Sequence, residues 1–378
     1  MILSALKYTR YVDEPREWSI VGNGGDYAYF GNINLLVGKN ASGKSRTLNV
    51  IREIADLVSG RIDLKYAISP SERFELTFTN GEDQYAYYLI FKERAVDEEI
   101  LSFNNKVILD RKKKILLTAE DQHTPFEVKD YQLAVALHDT SDRPFFKNIV
   151  QWGESLKNYL FANQLEKNRL VKDYTQIDGD DHDIDDPDVL IYIFHKGREL
   201  YGDMFVSEVI ENMQALGYDI SCIDIKRESG GYGIVIEEEG EYIVSQREMS
   251  QGMFRALALF IMLTYARLDG ISLCLLVDDM GEGLDFDSSK KMIDIVTKKV
   301  HKSNVQFFMT TNDRQVMNQI SLRFWSVIDR QRNKSIFYDY TNSTDTFEDF
   351  KYTGLNNFDF LSSDFYKEGF GIINEEND

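Results

Sequence analysis

The chain has 378 residues, 43% hydrophobic and 28% charged, with a formal net charge of −20. That length suits two lobes with a true core, and the acidic balance argues against a monomer that wraps nucleic acid, since phosphate neutralisation dominates such binding. Two cysteines in separate apolar segments, Cys222 and Cys274, no apolar run of membrane-spanning length and no signal-like start in Met1–Tyr11 lead to the expectation of a reduced, cytoplasmic protein without membrane contact.

In chain order, Ile33 to Val37 reads as a buried strand, and Lys44 to Ser59 reads as a helix. The helix carries Leu48, Ile51, Ile54 and Leu57 at helical spacing, with Gly60 as a stop. Between them stands Gly38-Lys39-Asn40-Ala41-Ser42-Gly43-Lys44-Ser45, followed by Arg46, which fits G-x-x-x-x-G-K-[ST]. A strand, a glycine loop and a helix start form an anion cradle: backbone N–H groups and the positive helix end face phosphates, Lys44 reaches the β/γ oxygens, and Ser45 can ligate Mg²⁺. The pattern implies binding of a nucleoside triphosphate.

Downstream, Arg73 to Phe78 alternates polar with apolar, Asn80-Gly81 signals a hairpin turn, and Tyr85, Tyr87, Leu89 and Phe91 resume the alternation. A third β segment, Lys106 to Leu109, leads into Arg111-Lys112-Lys113-Lys114, a basic cluster that reads as a charged turn or as a contact for a phosphate backbone. Residues 1–140 are therefore expected to form a β-rich N-terminal lobe. Residues 141–245 are expected to form a mainly helical insertion with short strands. Its apolar faces are Phe146, Ile149, Val150, Leu156, Tyr159 and Leu160, then Phe205, Val209, Met213 and Leu216. The acidic segment Asp178 to Asp188 lacks the spacing of a Ca²⁺ loop and reads as solvated. Five histidines show no metal spacing.

Residues 246–340 are expected to form a second α/β lobe. Leu273 to Val277 reads as a buried strand ending in Asp278-Asp279. Asp278 would hold Mg²⁺ through water, and Asp279 would position the attacking water. Upstream, Ser250-Gln251-Gly252 opens a long apolar helix, offering a hydroxyl, amides and a positive dipole end to a phosphate. That arrangement makes sense if it faces ATP held by a second subunit. Residues 341–378 form an aromatic-rich extension, including Phe347, Tyr352, Phe358, Phe360, Phe365, Tyr366 and Phe370, expected to pack on the core or on a partner.

The order of these motifs resembles that of ABC-type P-loop ATPases: phosphate loop, L-S-x-G-like signature, strand-end carboxylates, D-loop and switch. Asp278 to Asp285 lies on their D-E-x-x-x-x-L-D, so Asp285 resembles the D-loop aspartate. Phe308-Met309-Thr310-Thr311-Asn312-Asp313 resembles the switch strand and turn, with Asn312 at the switch position. The long stretch between Ser45 and Ser250, the Ser-Gln-Gly-Met-Phe-Arg wording and the Thr-Thr-Asn turn look most like the RecF-like and chromosome-maintenance-like branch. Within it they look most like the ATPase module of OLD (overcoming lysogenization defect) proteins. Glu98-Glu99 lies near where the family's Q-loop enters, although surface acids in a turn fit as well.

The resemblance implies an α/β fold of the ABC-ATPase type, ATP and Mg²⁺ as ligands, and a head-to-tail dimer around two ATP molecules. Departures are Asp279 for the family's glutamate, Asn312 for its histidine and Met253 in the signature, which together imply slow hydrolysis. About 65 residues follow Asp313, too few for a Toprim nuclease domain. The expectation is an ATPase module that switches a separate effector such as a nuclease, in bacterial anti-phage defence. The alternative is a RecF-like repair ATPase that clamps DNA in its ATP dimer, directly or through a partner. A transporter motor is disfavoured by the long insert and the missing histidine.

Overall fold

The computed structural model describes residues 1–64, 71–117, 123–137, 144–160, 167–168, 170–172 and 189–371. The acidic segment Asp178 to Asp188 lies outside the described residues. Strands β1 (Ile2–Arg10), β2 (Trp18–Gly22), β3 (Ala28–Tyr29) and β4 (Ile33–Val37) precede helix α1 (Lys44–Val58). A run of strands follows: β5 (Ser71–Asn80), β6 (Asp83–Lys92), β7 (Ala95–Phe103), β8 (Lys106–Asp110), β9 (Ile115–Leu117) and β10 (His123–Pro125). Next come α2 (Pro144–Ser155), β11 (Leu156–Leu160), α3 (Val189–Ala215), β12 (Ile220–Glu228), β13 (Gly231–Glu238) and β14 (Tyr242–Ser245). Then α4 (Gln251–Asp269), β15 (Leu273–Asp278), α5 (Phe286–His301), β16 (Val305–Thr310) and α6 (Arg314–Gln319) alternate. The hairpin β17 (Trp325–Gln331) and β18 (Lys334–Asp339) and the helices α7 (Thr344–Phe350), α8 (Asn357–Ser362) and α9 (Phe365–Glu368) end the described chain. Two compact units result, Met1–Leu156 with Ser321–Asp378, and Lys157–Ile320.

In the first unit the strand order is β10-β9-β8-β7-β6-β5-β1-β2-β18-β17-β4. β4 is buried along its whole length and runs parallel to β17, Trp325 opposite Leu35 and Val327 opposite Val37. A nearly continuous apolar run suits a strand covered on both faces, and its one polar residue, Asn34, bonds back to the Gly31 backbone. The long β5–β6 ribbon alternates as expected, with Phe74, Leu76, Phe78, Tyr85, Tyr87, Leu89 and Phe91 inward. Its loop sits one residue later than the Asn80-Gly81 signal. Asn80 pairs with Asp83, and Gly81 takes the first loop position at φ +65°.

β7 is a strand that the alternation conceals, because Asp97-Glu98-Glu99 interrupts it. Val96 and Leu101 point inward, and so does Glu99, which is fully buried. The Glu99 carboxylate accepts from Tyr87 Oη (3.0 Å), Arg111 Nη1 (3.2 Å) and the Ala134 (2.9 Å) and Val135 (3.2 Å) amides. Glu98-Glu99 therefore belongs neither to a Q-loop nor to a surface turn. A buried carboxylate with four donors is a structural clamp.

Helix α1 buries Leu48, Ile51, Ile54, Ala55 and Val58 and ends where the sequence places its stop, Gly60 following at φ +73°. α2 crosses it closely: a Cβ on Gly153 would lie 2.6 Å from the Ala55 carbonyl oxygen. The apolar face read as helical through Leu160 stops earlier. Ser155 turns its hydroxyl back onto the Trp152 carbonyl (2.8 Å), and Leu156–Leu160 is β11. In the C-terminal extension Phe347, Phe350, Phe360 and Phe365 stack edge-to-face at 4.6–5.1 Å, and Tyr366 packs on Tyr338 at 5.0 Å. Tyr352 and Phe370 stay exposed.

In the second unit α4 is buried on every side from Gly252 to Ala266, as an apolar helix inside a core must be. α3 is interrupted at Gly202 (φ 54°, ψ −135°), and its second half buries Phe205, Val209 and Met213. β15 and β16 are fully buried and parallel, Leu273 opposite Val305. β12, β13 and β14 make a separate antiparallel sheet. No helix among the described residues is long and apolar enough to cross a membrane.

Candidate functional site

In the first unit, β4 delivers the chain into the loop from Gly38 to Ser45, and α1 starts at its far side. Both loop glycines are required by space. A Cβ on Gly38 would meet the Ile328 carbonyl oxygen at 2.5 Å and Ser42 Oγ at 2.6 Å. One on Gly43, which sits at φ +113°, would meet Ser335 Oγ at 2.7 Å. Ala41 also takes a left-handed conformation (φ +61°). The β17–β18 hairpin braces the loop from behind: Ser335 Oγ donates to the Ser42 carbonyl (2.9 Å) and Arg330 Nη1 to that of Ala41 (3.4 Å).

Lys44 folds across the loop, its Nζ donating to the Gly38 carbonyl (2.9 Å), and is nearly buried. Ser45 is exposed at the first turn of α1. Lys39 pairs with Asp364 (2.9 Å), and the Arg46 guanidinium lies 3.6 Å from the Trp18 ring centroid. The buried Ser42 Oγ has no hydrogen-bond partner among the described residues. This loop fits a polyphosphate. The first amides of α1 lack intrahelical acceptors, the two glycines keep Cβ atoms out, and Lys44 and Ser45 have the donor and ligand chemistry for phosphate and Mg²⁺.

In the second unit, β15 and β16 end side by side, and Thr310 joins them. Its hydroxyl donates to Asp278 Oδ1 and accepts from the Asp279 amide at 2.9 Å. Met280 N donates to the Thr310 carbonyl (2.8 Å), and Thr311 Oγ1 to that of Met280 (2.9 Å). Asn312 Nδ2 then reaches Asp279 Oδ1 at 3.3 Å. The structure thus brings Asp278, Asp279 and Asn312 together on one ladder, with Asp278 buried and Asn312 exposed.

Ser250 is the N-cap of α4, accepting from the Met253 amide (3.1 Å). Gly252 touches the loop after Asp279 so closely that a Cβ would lie 2.1 Å from the Gly283 carbonyl oxygen. Arg255, also buried, donates through Nη1 to the Glu282 carbonyl (3.1 Å) and carboxylate (3.0 Å). Asp285 caps α5: it accepts from Ser288 N (3.0 Å) and Ser288 Oγ (2.6 Å), and these bonds hold its carboxyl below the usual range. Sequence reasoning missed Thr310, Arg330, Ser335, Asp364 and Arg255. The Thr-Thr-Asn and Met-Phe-Arg strings contained two of them; the others come from segments with no motif.

A family model described as "AAA domain, putative AbiEii toxin, Type IV TA system" matches residues 33–318. No curated protein matches the sequence significantly. Among solved structures, the SmcHead bound to the C-winged helix domain of ScpA is 12% identical, with a TM-score of 0.54 over 89% of this chain and 97% of that one. The Smc head domain with an extended coiled coil, bound to the C-terminal domain of ScpA and derived from Pyrococcus furiosus, is 12% identical, with a TM-score of 0.52 over 92% of this chain and 99% of that one. The mixed α/β architecture with its large sheet is thus the fold of the SMC-head type of ABC P-loop ATPase.

Proposed function

This chain belongs to the AAA domain family of that description, and from that membership we propose that it is a slow ABC-type ATPase that works as a nucleotide-dependent switch on a separate effector. The observation that carries the proposal is the ladder at the ends of β15 and β16, where Asp278, Thr310, Asp279 and Asn312 are joined. Gly38 to Arg46 would hold the nucleotide, with Lys44 on its phosphates. Ser45 and Asp278 each carry ligand chemistry for Mg²⁺, Asp278 through water, and the ion when bound would neutralise charge that develops on the phosphates. Asp279 would orient and deprotonate the attacking water, fixed in place by Asn312 and Thr310. Its carboxylate is one methylene shorter than a glutamate, and Asn312 donates a hydrogen bond but carries no positive charge. Both features favour binding over turnover.

Ser250, Gly252 and Asp285 would face nucleotide on a second copy in a head-to-tail dimer. The close approach of Gly252 to Gly283 and the Arg255–Glu282 hydrogen bond, which join α4 to the Gly281–Leu284 loop, support that reading. The toxin–antitoxin wording of the family description supports a defence role, and OLD-like modules are the kinship the motifs suggest. Both Smc heads are bound to ScpA, a separate protein, which supports an output carried by another polypeptide.

Phosphate release and nucleotide binding test the proposal. Lys44→Ala should abolish binding. Asp279→Asn should bind ATP, sediment as a dimer with it, and lose about 100-fold or more in turnover. Wild-type turnover in Asp279→Asn would sink the assignment.

A further inference from the structure

The C-terminal extension reaches the phosphate loop through one residue. Asp364 stands between α8 and α9 in a left-handed conformation (φ +57°), which aspartate and asparagine adopt more readily than other non-glycine residues. Its Oδ2 accepts from Lys39 Nζ at 2.9 Å, and Lys39 beside it holds the Asp364 carboxyl below the usual carboxylate range. Two more contacts moor this end of the extension: Lys367 pairs with Asp329 (2.7 Å), and Tyr366 packs edge-on against Tyr338. Asp329 and Tyr338 lie on the β17–β18 hairpin, the same hairpin whose Ser335 and Arg330 brace the loop. Extension, hairpin and loop are therefore one connected set of contacts within the first unit.

The Lys39 side chain is 66% exposed and that of Asp364 32% exposed. An ion pair so open to water is weak and exchangeable. A triphosphate in the loop would set a denser negative charge, with better acceptor geometry, beside Lys39. We propose that Asp364 is a positioning residue for nucleotide binding. It holds Lys39 at the rim of the loop in competition with nucleotide phosphates, so the docking of residues 357–371 responds to occupancy of the loop. The inference rests on the nucleotide reading above and deepens it: the extension is the element through which occupancy of the phosphate loop is reported.

The test titrates Mg·ATPγS into the full chain and its variants by calorimetry, and follows amide hydrogen exchange across 357–371. Asp364→Asn should bind about threefold more tightly than wild type, the size expected when a weak competing ion pair is removed. The gain should shrink at high salt. Asp364→Glu, which keeps the charge, should restore wild-type affinity. In a Lys39→Ala background Asp364→Asn should have no effect on affinity, an outcome that a merely structural role for Asp364 does not give. Exchange in 357–371 should quicken with nucleotide in wild type and stay unchanged in Lys44→Ala. Ordinary Lys44-dependent binding with an unmoved Asp364→Asn, or the same gain in the Lys39→Ala background, overturns this inference alone. Absence of Lys44-dependent binding in wild type overturns the nucleotide reading and the inference together.

Discussion

Asp279 sits at φ +53°, a left-handed conformation that aspartate tolerates better than most non-glycine residues. The Thr310 hydroxyl holds it there by accepting the Asp279 amide while donating to Asp278. One buried side chain therefore sets two carboxylates. Thr310→Val keeps the shape but leaves the Asp279 amide without this acceptor. Turnover should fall about tenfold, a loss typical of misplaced rather than missing catalytic groups, while Lys44-dependent ATP binding persists. Thr310→Ser should retain activity. Phosphate-release assays decide the matter, and wild-type turnover in Thr310→Val would remove Thr310 from the site. The candidate site was legible where its chemistry comes as a contiguous string, as in Gly38–Ser45 and Asp278-Asp279. Thr310 was not, because its role exists only once β15 and β16 lie in parallel register. Asp364 and Ser335 were hidden for the same reason: each acts on a loop more than half the chain away.

At the scale of elements, α1 is the helix that projects the phosphate loop, and its seat is set by the crossing with α2. Gly153 makes that crossing possible, since a Cβ there would stand 2.6 Å from the Ala55 carbonyl oxygen and 2.8 Å from Val58 Cγ2. A backbone oxygen in an α-helix cannot give way as a side chain does. Gly153→Ala should therefore destabilise the protein by about 1–3 kcal/mol, read as a lower denaturant midpoint. Gly31→Ala, with no atom near its Cβ, should change stability by less than about 0.5 kcal/mol. Equal midpoints for the two variants would refute a tight helix crossing. Elements whose pattern is clean were readable: helical spacing in α1, alternation in β5 and β6, and a continuous apolar run in β15. β7 was not, since its inward Glu99 is polar and its stability comes from four donors supplied by β6, the Arg111 turn and the 134–135 backbone. The end of α2 was misread because apolar spacing continued through Leu160, past the point where Ser155 breaks the backbone pattern.

For the molecule as a whole, the choice between a protein-directed switch and a DNA clamp turns on electrostatics. The one dense basic cluster is already matched with acids. Arg111 pairs with Glu99 (3.2 Å), Lys112 with Asp97 (3.4 Å) and Glu98, Lys113 with Asp110 (2.8 Å), and Lys114 with Glu127 (2.6 Å). Duplex DNA would have to displace those partners against a net charge of −20. The Lys112 and Lys114 pairs are open to water and exchangeable, so the net charge is the main obstacle, and counterion release should add little affinity against it. The protein alone should bind a labelled duplex no more tightly than about 100 μM at physiological salt, the weak end of non-specific binding, with or without ATPγS. Replacing Lys112, Lys113 and Lys114 together by glutamine should leave that weak binding unaltered. Fluorescence anisotropy across a salt series measures both. Micromolar, steeply salt-dependent binding that appears only with ATPγS and vanishes in the triple variant would favour the DNA clamp over the protein-directed switch. It would also mean that nucleotide rearranges the ion pairs of the β8–β9 turn.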